Sequence, residues 1–230
     1  MTEQFKNASP FPHIVIDNFL QNVSTLEESD EELRRFPWHH FVDKEASIVQ
    51  VNKLGISDPD VIEMNGAYVS ANMLREFAGD EVVGFLKQLT GLQNLESDRK
   101  FTGGGVHRIS EGGKLSIHAD FTALQEKKKR RRLNALLYLN KHWQEGMGGE
   151  LELWNKEMTN CEKKIPPLFN RLVVFLISDD ANHGHTDPWK SSLPRLSYAI
   201  YYFVPFTKEE EENPPEFHWA LWKKRNGIDY

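Results

Sequence analysis

Residues 112–140 read GGKLSIHADFTALQEKKKRRRLNALLYLN, and the division of this stretch decides the fold. Two apolar runs, KLSIHADF and RLNALLYLN, flank six consecutive basic residues from Lys127 to Arg132. Short runs with β-branched or aromatic residues, bounded by glycine or charge, read as strands. His118 and Asp120 lie two positions apart in the first run, so in an extended chain both project to one side. Alone, a His-x-Asp pair is as readily a polar break between strands as half of a metal site.

The same texture continues outward. GGGVHRI, GGELELWN, RLVVFLIS and RLSYAIYYFVPF are separated by glycine, proline or charge, the pattern of an all-β sandwich or barrel after residue 100. Upstream, PHIVIDNF reads as one early strand. Residues 22–36 carry Val23, Leu26, Leu33 and Phe36 at helical spacing up to Pro37. A second helix is predicted with Ser70 as its cap, Met73, Leu74 and Phe77 on its apolar face, and Gly79 as its stop. A third, from Asp80 as cap to Gly91, repeats Val82, Phe85, Leu86 and Leu89. Residues 39–58 are mixed and read as a lid or, more plainly, an irregular surface excursion. With no linker and no repeat, the expectation is one α+β, mainly β domain over residues 1–230. A helical layer at about 20–92 would pack on a β core at about 100–206.

The chain has 230 residues, enough for a sizeable core, and a net charge of −6, which speaks against a general nucleic-acid binder. Cys161 is the only cysteine, so no internal disulfide forms. The N-terminus has no signal-peptide core, and no apolar run approaches the ~20 residues of a membrane span. The expectation is a soluble cytoplasmic protein (in the host compartment if viral), with neither nucleic acid nor membrane as partner.

A metal site built on His118 and Asp120 needs a third ligand. Both His183 and His185 stand in SDDANHGHTDPW, directly after an apolar strand. Two histidines and one carboxylate with open positions make the facial triad of non-haem Fe(II) oxygenases. Farther on, Arg195 and Ser197 share one face of the last strand, and Tyr138 offers a phenol from another. An arginine beside hydroxyls suits a carboxylate, here the distal one of a dicarboxylic 2-oxoacid. A surface salt bridge is the plainer role for any single arginine, but less so inside PRLSYAIYYF.

GGGVHRI, KLSIHADF, RRLNALLYLNKHW, GGELELW, PLFNRLVVF, HGH and RLSYAIYYF occur in one order, preceded by PFPHIVIDNFL and FLKQLTGL. In these motifs the chain resembles the Fe(II)/2-oxoglutarate-dependent dioxygenases, in the prolyl 4-hydroxylase-like branch and its bacterial or viral subgroup. The resemblance implies a double-stranded β-helix (jelly roll) with N-terminal helices against it. It implies Fe(II) held by His118, Asp120 and His183, the histidine that precedes Gly184, with His185 in reserve. Thr186 stands where relatives commonly carry proline. Arg195 and Tyr138 match cosubstrate contacts for 2-oxoglutarate, with Ser197 and Asn134 as further candidates.

The implied reaction is hydroxylation of a prolyl residue in a peptide or protein, using O2 and releasing succinate and CO2, with ascorbate as a further cofactor. Asp120 favours hydroxylation over halogenation. One alternative is hydroxylation of a free amino acid or other small metabolite. Another is a metal-binding jelly roll without turnover. Arg108 is a candidate contact where some relatives carry a tyrosine, and Tyr201 shares the face of Arg195 and is a candidate lining residue. The basic block from Lys127 to Arg132 reads as a solvated loop, with steering of an acidic substrate as its functional alternative.

Overall fold

The computed structural model of the protein describes residues 2–41 and 48–225. Six α-helices are present among the described residues: α1 (Thr2–Lys6), α2 (Val23–Arg35), α3 (Pro59–Met64), α4 (Tyr68–Phe77), α5 (Asp80–Thr90) and α6 (Lys208–Glu212). The strands are β1 (His13–Ile16), β2 (Gln50–Ile56), β3 (Glu96–Ser97), β4 (Gly105–Ala119), β5 (Ala123–Leu124) and β6 (Lys129–Tyr138). They continue with β7 (Leu151–Trp154), β8 (Cys161–Ile165), β9 (Leu172–Leu176), β10 (His183–His185), β11 (Arg195–Pro205) and β12 (Leu221–Trp222). The main sheet runs in the order β1-β9-β6-β11-β4-β10-β7-β8, and every named strand pairing is antiparallel.

β4 closes the roll. Its first half pairs with β11, from Arg195↔Ile109 to Ala199↔Gly105, while its second half pairs with β10 through His183↔His118. GGGVHRI and KLSIHADF are therefore one strand of 15 residues, not two. Gly112, at φ 75°, and Gly113 bend it at the point where two strands were expected to meet. A Cβ on Gly113 would stand 2.4 Å from Ile109 Cγ2 and 2.7 Å from the Ser110 carbonyl, so glycine is required for that close approach.

Alternation along the central strands separates two cores. On β11, Leu196, Tyr198, Ile200 and Tyr202 join Leu133, Ala135 and Leu137 of β6 and Leu172 and Val174 of β9 against the helices. The intervening Tyr201 and Phe203 join Tyr138, Val173 and Phe175 inside the roll. Both faces of these strands are buried, so RLSYAIYYF reads as a nearly unbroken apolar run rather than an alternating one.

The helix boundaries show what the apolar spacing leaves out. Ser70 lies inside α4 and does not cap it. The first backbone N–H groups of that helix, on Val69 and Ser70, donate to the Glu32 carboxylate of α2 at 3.0 and 2.8 Å. A cap borrowed from a neighbouring helix leaves no local sequence signal. The Ser70 hydroxyl also donates to Glu32 and faces Ser29, whose hydroxyl lies 2.6 Å from that of Tyr198, so a buried polar link ties α2 and α4 to β11. Asp80 is the first residue of α5 and Gly79 its cap, while Gly91 ends it in the left-handed region at φ 81° as expected. α3 was not foreseen, although Asp58 caps it and Pro59 opens it. Within the 39–58 stretch, residues 50–56 form β2 and are not an excursion, whereas residues 42–47 lie outside the described residues. No helix among the described residues is long and apolar enough to cross a membrane.

Candidate metal and cosubstrate site

The roll encloses a cavity of about 230 Å³. His118, Asp120 and His183 meet at one end, with one ligand atom from each lying within 4.8 Å of the others. The register brings them together, because His183 of β10 sits directly across from His118 of β4. His118 Nδ1 is 2.9 Å from the Ser116 carbonyl and His183 Nδ1 is 2.9 Å from the Ala181 carbonyl. A carbonyl only accepts, so each Nδ1 carries its hydrogen and each Nε2 offers its lone pair. Those lone pairs lie 3.7 and 3.6 Å from the Asp120 oxygens.

Burial pushes His183 down to about 4, which leaves it neutral at pH 7. Burial alone would raise the Asp120 carboxyl, but His183, His118 and Arg131 together hold it below the usual carboxylate range. Asp120 Oδ1 accepts from the Tyr201 hydroxyl at 3.1 Å, while Oδ2 is buried without a hydrogen bond. Two oriented imidazoles and an ionised carboxylate with an unused oxygen fit a divalent first-row ion such as Fe(II). His185, two residues on, lines the cavity but pairs with Leu115 and stands outside this group of three.

Arg195, Tyr138, Ser197, Asn134 and Tyr201 line the same cavity. Arg195 is buried at 4 % exposure, and its Nε donates to the Gly149 carbonyl at 2.9 Å. Gly149 is held at φ 74°, and a Cβ there would come within 3.0 Å of the Arg195 stem, so this position needs glycine. The Arg195 guanidinium lies 5.0 Å from the Tyr138 ring centre. The Tyr138 hydroxyl and Asn134 Oδ1 are buried without a hydrogen-bond partner. Ser197 pairs with Tyr138 on one side and His107 on the other, and all three line the cavity. Arg108 turns away and donates to the Ser110 hydroxyl, so His107 is the residue of that pair in the cavity.

Arg131, Lys53 and Trp222 are among the lining residues that escaped the sequence reading. Arg131, at 1 % exposure, is sandwiched between the rings of Phe121 and Tyr201 at 3.5 and 3.6 Å and donates to the Thr102 carbonyl. Lys53 enters from β2, and Trp222 lies over His118 at a ring separation of 4.9 Å. Four more residues of the basic block are ion-paired. Lys127 pairs with Asp98, Lys128 with Glu211, Lys129 with Glu96 and Arg130 with Glu210, so two of its four pairs reach the acidic helix α6. At the mouth, Phe121, Phe217 and Trp219 form an edge-packed aromatic group, with Trp219 74 % exposed.

Comparison with known proteins bears on the fold and the family likeness. Residues 104–203 match the profile of the 2OG-Fe(II) oxygenase superfamily, the part of the chain that carries most of the motifs quoted above. The mouse (Mus musculus) prolyl 3-hydroxylase OGFOD1 is 25% identical over 200 residues, which are 85% of this chain and 33% of that protein. The chain thus spans about a third of the length of this curated relative. A Pseudomonas putida prolyl-4-hydroxylase superposes with a TM-score of 0.56 at 19% identity, covering 89% of this chain and 96% of the other. A Trichoplax adhaerens prolyl hydroxylase, solved with a hypoxia inducible factor peptide fragment, gives 0.58 at 21% identity, covering 94% and 91%. The jelly-roll fold expected from the sequence is the fold of these structures.

Proposed function

We propose that this chain is an Fe(II)- and 2-oxoglutarate-dependent dioxygenase that hydroxylates a prolyl residue in a peptide or protein. The observation that carries the reading is the triad itself. His118 and His183 each have Nδ1 committed to a backbone carbonyl and Nε2 turned to Asp120, a buried carboxylate of the cavity. Two imidazole nitrogens and a carboxylate thus converge on one point.

In this reading His118, Asp120 and His183 hold Fe(II), and Arg195 holds the distal carboxylate of 2-oxoglutarate. The Tyr138 hydroxyl, unpaired in the cavity, donates to the same carboxylate, while Asn134 and Ser197 line the cosubstrate's path. When bound, iron and 2-oxoglutarate supply the oxidising chemistry, in which O2 is consumed, one oxygen enters a C–H bond, and succinate and CO2 leave. The protein orients these groups and keeps the centre dry. Tyr201 fixes the Asp120 carboxylate through its hydroxyl, and Trp222 covers the His118 ring. Phe121 and Trp219 give the mouth an apolar rim suited to a pyrrolidine ring.

A prolyl substrate is supported by the relatives, which are prolyl hydroxylases by name. They act at different ring positions, so the reading stops at the prolyl residue. Hydroxylation of a small metabolite would use the same metal and cosubstrate groups, but the aromatic rim beside an open mouth favours a peptide.

The test is anaerobic addition of Fe(II) and 2-oxoglutarate, reading the weak metal-to-ligand charge-transfer band, and then succinate release on admitting O2. Wild-type protein should show both, and Asp120→Ala neither. Folded wild-type protein with no band and no succinate would sink the reading.

A further inference from the structure

Lys53 has no role in the arrangement described above, yet it enters the same cavity. β2 and β11 flank the first half of β4, and their registers align there. Ile109 pairs with Lys53 on one side and with Arg195 on the other. Residues directly across a ladder point to the same face, so Lys53 and Arg195 both face inward with Ile109 as the floor between them. Two strand spacings separate their Cα atoms by about 10 Å. A four-carbon lysine stem and an arginine stem reaching toward one point from that separation leave room for one carboxylate between their ends.

The route of Lys53 into the cavity is built. β2 carries a register shift between Val51 and Lys53, where Asn52 sits at φ 50° and its side-chain amide donates to the Glu111 carbonyl. The bulge turns Lys53 inward. Next along the same face is Gly55, where a Cβ would stand 3.2 Å from the His107 ring. A larger residue there would press on the ring that floors the next rung of the cavity.

The electrostatics call for an anion. The cavity lining contains three cations, Lys53, Arg131 and Arg195, against one carboxylate, Asp120. Arg131 is stacked between two rings, and Asp120 belongs to the metal triad. Lys53 has no carboxylate within ion-pair distance among the described residues. Burial pushes it down to about 8, Asp120 draws it up, and Arg195 opposes its charge. Glu150 acts on Arg195 and Asp120 on Lys53, but neither cation is in an ion pair among the described residues. Two like charges facing one space are stable together when an anion lies between them.

We propose that Lys53 is a second cosubstrate-binding residue, gripping the distal carboxylate of the 2-oxoacid from the side opposite Arg195. This rests on the 2-oxoglutarate reading above. It makes the site select a dicarboxylic oxoacid with two cations from two strands.

The test uses full-length protein loaded with Mn(II), a redox-quiet ion, titrated by calorimetry with 2-oxoglutarate and with 2-oxopentanoate, the same acid with a methyl group in place of the distal carboxylate. Lys53→Gln should weaken 2-oxoglutarate binding at least about tenfold, as expected for loss of a charge-assisted contact. It should leave 2-oxopentanoate within about twofold of wild type, and Lys53→Arg should recover most of the loss. If K53Q melts early, Lys53→Met, which keeps the apolar stem, carries the same comparison. An unchanged 2-oxoglutarate affinity in the folded variants would overturn the inference, as would equal weakening of both acids. Wild-type protein that takes up neither acid would overturn the oxygenase reading itself.

Discussion

The hydrogen bond from Tyr201 to Asp120 allows a clean perturbation. Tyr201→Phe removes one oxygen and keeps the ring, which is 9 % exposed and stacks on the Arg131 guanidinium at 3.6 Å. Burial raises the Tyr201 phenol well above its ordinary range, and the neighbouring carboxylate raises it further, so the group is protonated and donates. The bond lost is therefore neutral donor to ionised acceptor, 3.1 Å long and buried. Such bonds contribute about 1.5–3 kcal/mol. If the carboxylate needs the donor to keep its angle toward the metal, that energy appears as about 10- to 100-fold in metal affinity, the range typical of groups that orient a ligand.

Asp120 is ionised near neutrality, because its carboxyl lies below the usual range, and His183, His118 and Arg131, which hold it there, are all kept in the variant. The loss should therefore be the same at pH 6.5 and pH 8. The assay is Mn(II) or Co(II) titration against a competing chelator, with the metal-free melting temperature as control. A metal affinity within twofold of wild type, in a variant that melts normally, would refute the claim that Tyr201 orients the ligand.

Two further outcomes concern the stability of the metal-free chain. Glu32→Ala removes the acceptor for two helix-end N–H groups and the buried Ser70 hydroxyl, which together should cost about 2 kcal/mol. In a chain of this size that lowers the melting temperature by roughly 4–8 °C. A shift under about 1 °C in calorimetry would show that water replaces the carboxylate at no cost. The second outcome concerns pH. Burial holds His13, His107, His183 and His185 below the ordinary imidazole range, His183 at about 4. The unfolded chain takes these protons near pH 6.5 and the folded chain only at lower pH, so metal-free protein loses stability as pH falls through that interval. His183 alone contributes up to about 3 kcal/mol to this loss. The urea midpoint should fall between pH 7 and pH 5, and less steeply in His183→Gln. A midpoint independent of pH there would refute the buried neutral state.

What the sequence made legible, and what it hid, divides at the bulges. Counting alternate positions works wherever a strand keeps its register. Arg195, Ser197 and Tyr201 were placed on one face by parity, and so were His118 with Asp120, and all five line the cavity. Helices with regular apolar spacing were found by the same means. The count fails where an extra residue enters. In β6 the register shifts, so that Tyr202 pairs with Leu133 and Phe203 with Arg131. Arg132 is skipped, and Arg131 turns inward with Asn134 and Tyr138 although the parity differs. In β2 the shift at Asn52 does the same for Lys53. A shift of one residue moves the side chains beyond it to the other face; the basic block, read as a solvated loop from its charge, gave no face to count from.

Arg131 and Lys53, the residues beside these two shifts, are both cations that end inside the cavity. That coincidence has a physical reason. A regular strand in this roll offers its inner face to apolar packing or to the expected polar set, and a long cation there would have to be tolerated along the whole register. A bulge admits a single charged side chain at one place and returns the strand to its alternation, at the cost of one unpaired residue. The loudest feature of the sequence, the basic block, is thereby split. Lys127 to Arg130 hold Asp98, Glu96 and helix α6 at the surface, whereas Arg131 supports the ring that positions Asp120. A charge run can thus contain one functional residue among structural ones, and only the register distinguishes them.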